Sequence, residues 1–171
     1  MKFTATLLLA TGIAYGGQTS FSLNEATAVH KKFEAAAVRG YEPTAQLVNI
    51  YMAPSFTYVA QGRTFTRAQW LAEFKKAFQT GKVSSFRFTL GKPMPKNGKV
   101  MLPGSLYVKG TAKLPGKKKR SVLASRETFV ETWTNAGGKW MIEKIESKTM
   151  KMWADGKPYN PPMAAPLRKG G

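Results

Sequence analysis

Gly81 divides the chain into two kinds of pattern. Ahead of it apolar residues recur three and four positions apart, and behind it they alternate. A period of 3.6 buries one stripe of a helix and a period of two buries one face of a strand, so in this chain helices precede a sheet. Helices first and strands afterwards specify an α+β domain, not an alternating α/β one.

The punctuation supports this order. Ser22-Leu23-Asn24-Glu25 has the form of a capping box and predicts a helix start, with Ala26, Val29, Phe33, Ala36 and Ala37 as the apolar stripe up to Gly40. A second, shorter helix has Pro43 in its first turn, buries Leu47, Val48 and Tyr51, and stops at Pro54. Residues 56–65 read as a short strand that returns at Gly62. Thr66 and Gln69 repeat the capping box ahead of Trp70, Leu71, Phe74 and Phe78, the stripe of a third helix. Phe86, Phe88 and Leu90 then open a four-stranded antiparallel meander. Its turns fall at Asn97-Gly98, Pro115-Gly116 and Asn135 to Gly138, and Pro103-Gly104 predicts a bulge or bend in the second long strand.

Both ends differ from this middle. Met1 and Lys2 precede an uncharged apolar run through Gly17, the pattern of a secretory signal peptide over residues 1–17 and too short for a bilayer span of about 20 residues. The expected folded domain covers 22–153, and 154–171 form a proline-rich tail. Export would place the protein in the periplasm or outside the cell. Lys and Arg number 27 against 9 Asp and Glu, a formal net charge of +18, so anionic polymers or lipid headgroups are natural partners for the surface. An exported protein does not meet the chromosome, which disfavours nucleic acid. With no cysteine and a single histidine, thiolate and multi-histidine metal sites are excluded, and no cofactor motif is present.

FEAAAVRG followed by LVNIYMAPSFTYVAQGRTFTRAQWLAEF, together with ETWTNAGGKWMI near the other end, resembles the helix and hairpin motifs of the nuclear transport factor 2-like superfamily. That superfamily includes ketosteroid isomerase and the SnoaL-like polyketide cyclases. The resemblance covers roughly residues 23–150. It implies three N-terminal helices packed on a strongly curved antiparallel sheet, a cone-shaped α+β barrel. Isomerases, dehydratases and non-catalytic assembly domains share this fold, so fold alone does not assign a reaction. Ketosteroid isomerases keep a general-base aspartate in the short strand, where this chain has Val59, Ala60 and Gln61. The first helix also lacks their oxyanion tyrosine, and only Glu131 approaches the position of their second acid.

The carboxylates are the remaining chemistry. On the strand 120–134, Glu127, Phe129, Glu131 and Trp133 share a face by period two. A carboxylate there is paired, hydrogen-bonded or neutral with a raised pKa, and in the last case is a candidate acid or base. The alternative places Glu127 and Glu131 at the sheet margin, paired with Arg87, Arg126 or the Lys117–Arg120 turn. Glu143 and Glu146 fall on opposite faces of the last strand unless a bulge intervenes, with Glu146 among lysines. His30 reads as a half-exposed residue at the helix margin or as a pocket acid or base. The function expected is binding of a small apolar or amphipathic molecule in the cone, with Tyr58, Trp70, Tyr107 and Trp133 shaping the pocket and Glu131 its polar anchor. Two other roles stay open: a SnoaL-like isomerase, cyclase or dehydratase with Glu131 or Glu127 as general base, and a basic interaction module, its sheet face forming a homodimer.

Overall fold

A computed structural model describes residues 20–160. The expected signal peptide and residues 161–171 of the expected tail lie outside the described residues. Three helices lead: α1 (Leu23–Arg39), α2 (Tyr41–Tyr51) and α3 (Arg67–Thr80). Ser22 caps α1 by accepting from the Glu25 amide, and Thr66 with Gln69 completes a reciprocal capping box on α3. The strands are β1 (Met52–Ala60), β2 (Arg63–Thr66), β3 (Gly81–Leu90), β4 (Met94–Lys96), β5 (Lys99–Ala112), β6 (Ser121–Ala136), β7 (Lys139–Ala154) and β8 (Lys157–Pro158).

The main path of the sheet runs β2-β1-β7-β6-β5-β3, with β4 on β5 and β8 on β7. The meander from β3 to β7 is antiparallel as expected. Two features of the expected barrel are corrected. The sheet is mixed, because β1 lies parallel to β7, with Thr57 opposite Lys144 and Val59 opposite Glu146. It is also open, ending at β2 and β3. Pro54 lies inside β1, in the irregular stretch between Met52 and Thr57 where a missing ladder amide is tolerated. Residues 154–158 of the expected tail are ordered: the chain turns at Asp155-Gly156 and β8 pairs back on Trp153 and Ala154.

Pro103-Gly104 does not bulge; its register with Val130 and Phe129 is continuous. Gly104 is needed for another reason, since a Cβ there would stand 2.7 Å from the Phe129 ring. Between β6 and β7 the register shifts twice, at Thr128/Phe129 and Thr132/Trp133, irregularities of the kind that bend a strand. Lys148 and Glu143 are the extra residues of β7 at these points. They reset its phase, so Ile142, Ile145 and Met150 all turn to the helix side, opposite Trp133, Glu131 and Glu127.

Val48, Phe56, Leu102, Trp133 and Ile142 form the centre of the core, each no more than 2% exposed. Helix α1 crosses the open edge at β3. There Glu34 accepts the Phe88 amide at 2.7 Å, satisfying an edge donor that no described strand reaches. Burial raises the Glu34 carboxyl, but the Lys31 ammonium and the Phe88 amide outweigh it and hold the pKa below its usual value.

Candidate functional site

Between the helices and the sheet lies a cavity of about 440 Å³, within the usual range of small-ligand sites. Its floor is formed by Met52, Ile142 and Glu131, all buried, and its outer lining includes the exposed Lys82 and Met150, so it opens to solvent. Trp70, Phe74 and Phe78 of α3 form one wall, the first two stacked at 4.9 Å between ring centres. No residue of α3 is fully buried, because the apolar face of the helix looks onto the cavity. Phe86, Phe88 and Phe129 form the opposite wall.

Two carboxylates enter this space from β6. Period two predicted their shared face, and both are buried, Glu127 at 8% and Glu131 at 1% exposure. Neither pairs with Arg87, Arg126 or the Lys117–Arg120 turn. That margin reading fails because those cations belong elsewhere. Arg126 lies one residue along β6 from Glu127, so the pleat turns it to the other face. In the turn, Lys117 pairs with Asp155 at 2.8 Å, and Arg120 donates to the carbonyls of Thr80 and Thr111.

Glu131 is closed off by protein donors. Its Oε1 lies 2.9 Å from His30 Nε2, and its Oε2 accepts from Trp133 Nε1 at 2.8 Å. His30 Nδ1 lies 2.8 Å from the Ala26 carbonyl, which can only accept, so that nitrogen carries a proton, and as the imidazolium the ring also donates Nε2–H to Glu131. Burial by itself lowers the His30 pKa; the Glu131 charge and hydrogen bond and the Ala26 carbonyl together outweigh it and raise the pKa above its usual value. The half-exposed position expected for His30 is therefore incorrect: the ring is 2% exposed and meets Phe88 edge-on at 4.5 Å. The capping register of α1 already puts His30 next to Val29 and Phe33 on the apolar stripe, and that was the available signal.

Glu127 is held differently. Tyr58 Oη donates to its Oε1 at 2.9 Å, and the Ser147 hydroxyl is its other partner. Burial raises the Glu127 carboxyl pKa, and these two hydrogen bonds only partly offset it. Burial and the adjoining carboxylate likewise raise the Tyr58 phenol. The parallel β1–β7 pairing sets Tyr58 opposite Ile145, and the phase reset in β7 turns Ser147 inward. Neither arrangement can be read from local sequence.

The other expected pocket residues divide. Tyr58 and Trp70 line the cavity. Trp133 does not; it is buried beneath, against Phe21 at 5.5 Å, and orients Glu131. Tyr107 does not line it either. Leu106 and Val108 on each side of it do, so the pleat turns Tyr107 outward, in register with Arg87 and Arg126. Glu143 pairs with Lys99, and Glu146 with Lys144 at 3.1 Å and with Lys148. Among the described residues no three His, Cys, Asp or Glu side chains come together as a metal site, and no helix is long and apolar enough to cross a membrane.

No family model matches the chain, and no match to a curated protein was found. Solved structures do match. A nuclear transport factor 2-like protein of unknown function from Prochlorococcus marinus aligns with a TM-score of 0.56 at 12% identity, covering 76% of this chain and 94% of the other. One from Cytophaga hutchinsonii gives 0.55 at 10% identity, with 76% and 99% covered. A conserved protein from Planctomyces limnophilus gives 0.55 at 15% identity, with 71% and 90% covered. At such identities the likeness concerns fold alone: this chain has the nuclear transport factor 2-like fold, a cone of three helices on a curved, open, mixed sheet.

Proposed function

We propose that this protein binds a small apolar or amphipathic molecule in the cone, with Glu127 rather than Glu131 as its polar anchor. The observation that carries the reading is an aromatic-walled cavity of about 440 Å³ holding one buried carboxyl group with acceptor capacity to spare. Glu131 accepts from protein donors on both oxygens, whereas the recorded partners of Glu127 are two hydroxyls. A carboxylate has about four lone-pair sites, so Glu127 can still receive a donor from a ligand. The test is titration with n-octanol followed by methyl NMR. Shifts confined to cavity-lining methyls, among them Leu106, Val108, Ile145 and Met150, support the cavity, and shifts only outside the lining, or none, refute it. Val108→Trp, which fills the cavity, should weaken binding in a protein that stays folded by circular dichroism.

A second reading is favoured by the raised pKa of Glu127 beside the Tyr58 hydroxyl, an arrangement suited to taking a proton from an acidic C–H bond. Solvent deuterium exchange into a bound carbon acid, lost in Glu127→Gln, would establish it. Export belongs to the same proposal: N-terminal sequencing of protein recovered outside the cytoplasm should begin near Gly17 or Gln18.

A further inference from the structure

We infer that the cavity selects molecules carrying a protonated amine, with Glu127 as the counter-charge. This selectivity presupposes the ligand cavity proposed above. The chain has nine carboxylates, and all fall within the described residues. Six of them, Glu34, Glu73, Glu131, Glu143, Glu146 and Asp155, meet a lysine or histidine. Glu25 and Glu42 are exposed in the first turns of α1 and α2, where the helix dipole favours negative charge. Glu127 is left: a buried carboxylate that, among the described residues, meets no cationic side chain, in a protein of net charge +18.

Its surroundings explain this isolation. Across the sheet Glu127 faces Leu106 on one side and Met150 on the other, and along its own strand Ser125 and Phe129 share its face. The cations nearest in register, Arg126 and Lys151, belong to the opposite face. Among the described residues only Lys82 brings a lysine or arginine to the cavity lining, and it is exposed. It pairs with Thr111, five residues along β5 from Leu106 and so about 17 Å from the Glu127 row. An ionised carboxylate in an apolar space is costly when unpaired, and a cation that brings hydrogen-bond donors removes that cost. An ammonium supplies three donors to the unused lone pairs, and the aromatic walls favour a cation over a neutral group. The overall positive charge opposes approach from a distance, but at physiological salt it is screened within about 8 Å.

Calorimetry of the full chain with n-octylammonium and n-octanol at pH 7 tests this, because equal chain lengths make the apolar contributions cancel. The amine is expected to bind roughly tenfold or more tighter than the alcohol, and Glu127→Gln should bring the ratio of affinities to about one. Equal affinities in the wild type, or a ratio that Glu127→Gln does not change, would overturn the amine selectivity while leaving the cavity reading intact. If neither probe binds, the cavity reading falls and the selectivity with it. Should the variant not fold, the side-chain carboxyl carbon-13 resonance of Glu127 in the wild type decides: it must move with octylammonium and stay put with octanol.

Discussion

Glu127 and Glu131 stand four residues apart on one face of one strand, yet the fold treats them as opposites. Glu131 lies at the floor, 1% exposed, between His30 and Trp133. Glu127 lies higher on the same wall, with hydroxyls from Tyr58 and Ser147. Phe129 separates the two on the strand, its ring over Gly104. The first carboxylate joins α1 to the sheet, and the second leaves chemistry available in the cavity. Burial alone therefore does not mark a functional group. What distinguishes the two is whether the protein has already supplied the counter-charge.

The most severe way to break this contrast is Glu131→Ala, which leaves the His30 ring and the Trp133 indole buried without their partner. Loss of one member of a buried pair costs about 3–5 kcal/mol, readable by urea denaturation. A His30/Glu131 double-mutant cycle should show strong coupling. The same pair sets a pH dependence. The His30 pKa is raised above 6.5 in the fold, so the folded chain keeps a proton that the unfolded chain releases. The stability it contributes is complete below pH 6.5 and is lost as pH rises through the folded-state pKa; denaturation midpoints against pH should lose this slope in His30→Gln. Next in size is Gly104→Ala, whose methyl meets the Phe129 ring and should cost about 1–3 kcal/mol, with Phe129→Leu restoring part of the loss.

The smallest effect is expected at Glu127→Gln, which keeps the shape and a hydrogen bond to Tyr58. At neutral pH it should change stability by less than about 1 kcal/mol, since no protein cation is orphaned. It should also remove a slope. The folded-state pKa of Glu127 lies above 4.5, so the wild type loses stability relative to the variant as pH rises from 4.5 through that value. A large loss in Glu127→Gln, comparable to Glu131→Ala, would show that both carboxylates hold the fold together and would dissolve the comparison.

Much of this was legible locally. The Ser22 cap and the Thr66 capping box set the starts of α1 and α3, and alternation on β6 put both glutamates on the inner face. What could not be read depends on distant partners. His30 and Glu131 are 101 residues apart in sequence, and nothing near either names the other. Tyr107 looked like a pocket aromatic until the register of β5 turned it outward. The β7 bulges at Glu143 and Lys148 have no glycine or proline to announce them, yet they decide that Ser147 reaches Glu127. Pro103-Gly104 suggests a bulge that does not occur, and its glycine answers to the Phe129 ring.

The parallel seam between β1 and β7 also bears on how the molecule comes into being. During synthesis, which proceeds from the N-terminus, α1, α2 and β1 emerge first, but the strand that covers β1 is among the last to appear. Glu127 and Glu131, the partners of Tyr58 and His30, arrive only with β6, and Ile142, Ile145 and Ser147 only with β7. A nascent chain stalled at the β6–β7 turn would hold most of the sequence and lack the strand that joins β1 to β6. Non-local closure of this kind slows folding, and it leaves the unfinished cone's apolar interior as the surface on which a chaperone would act.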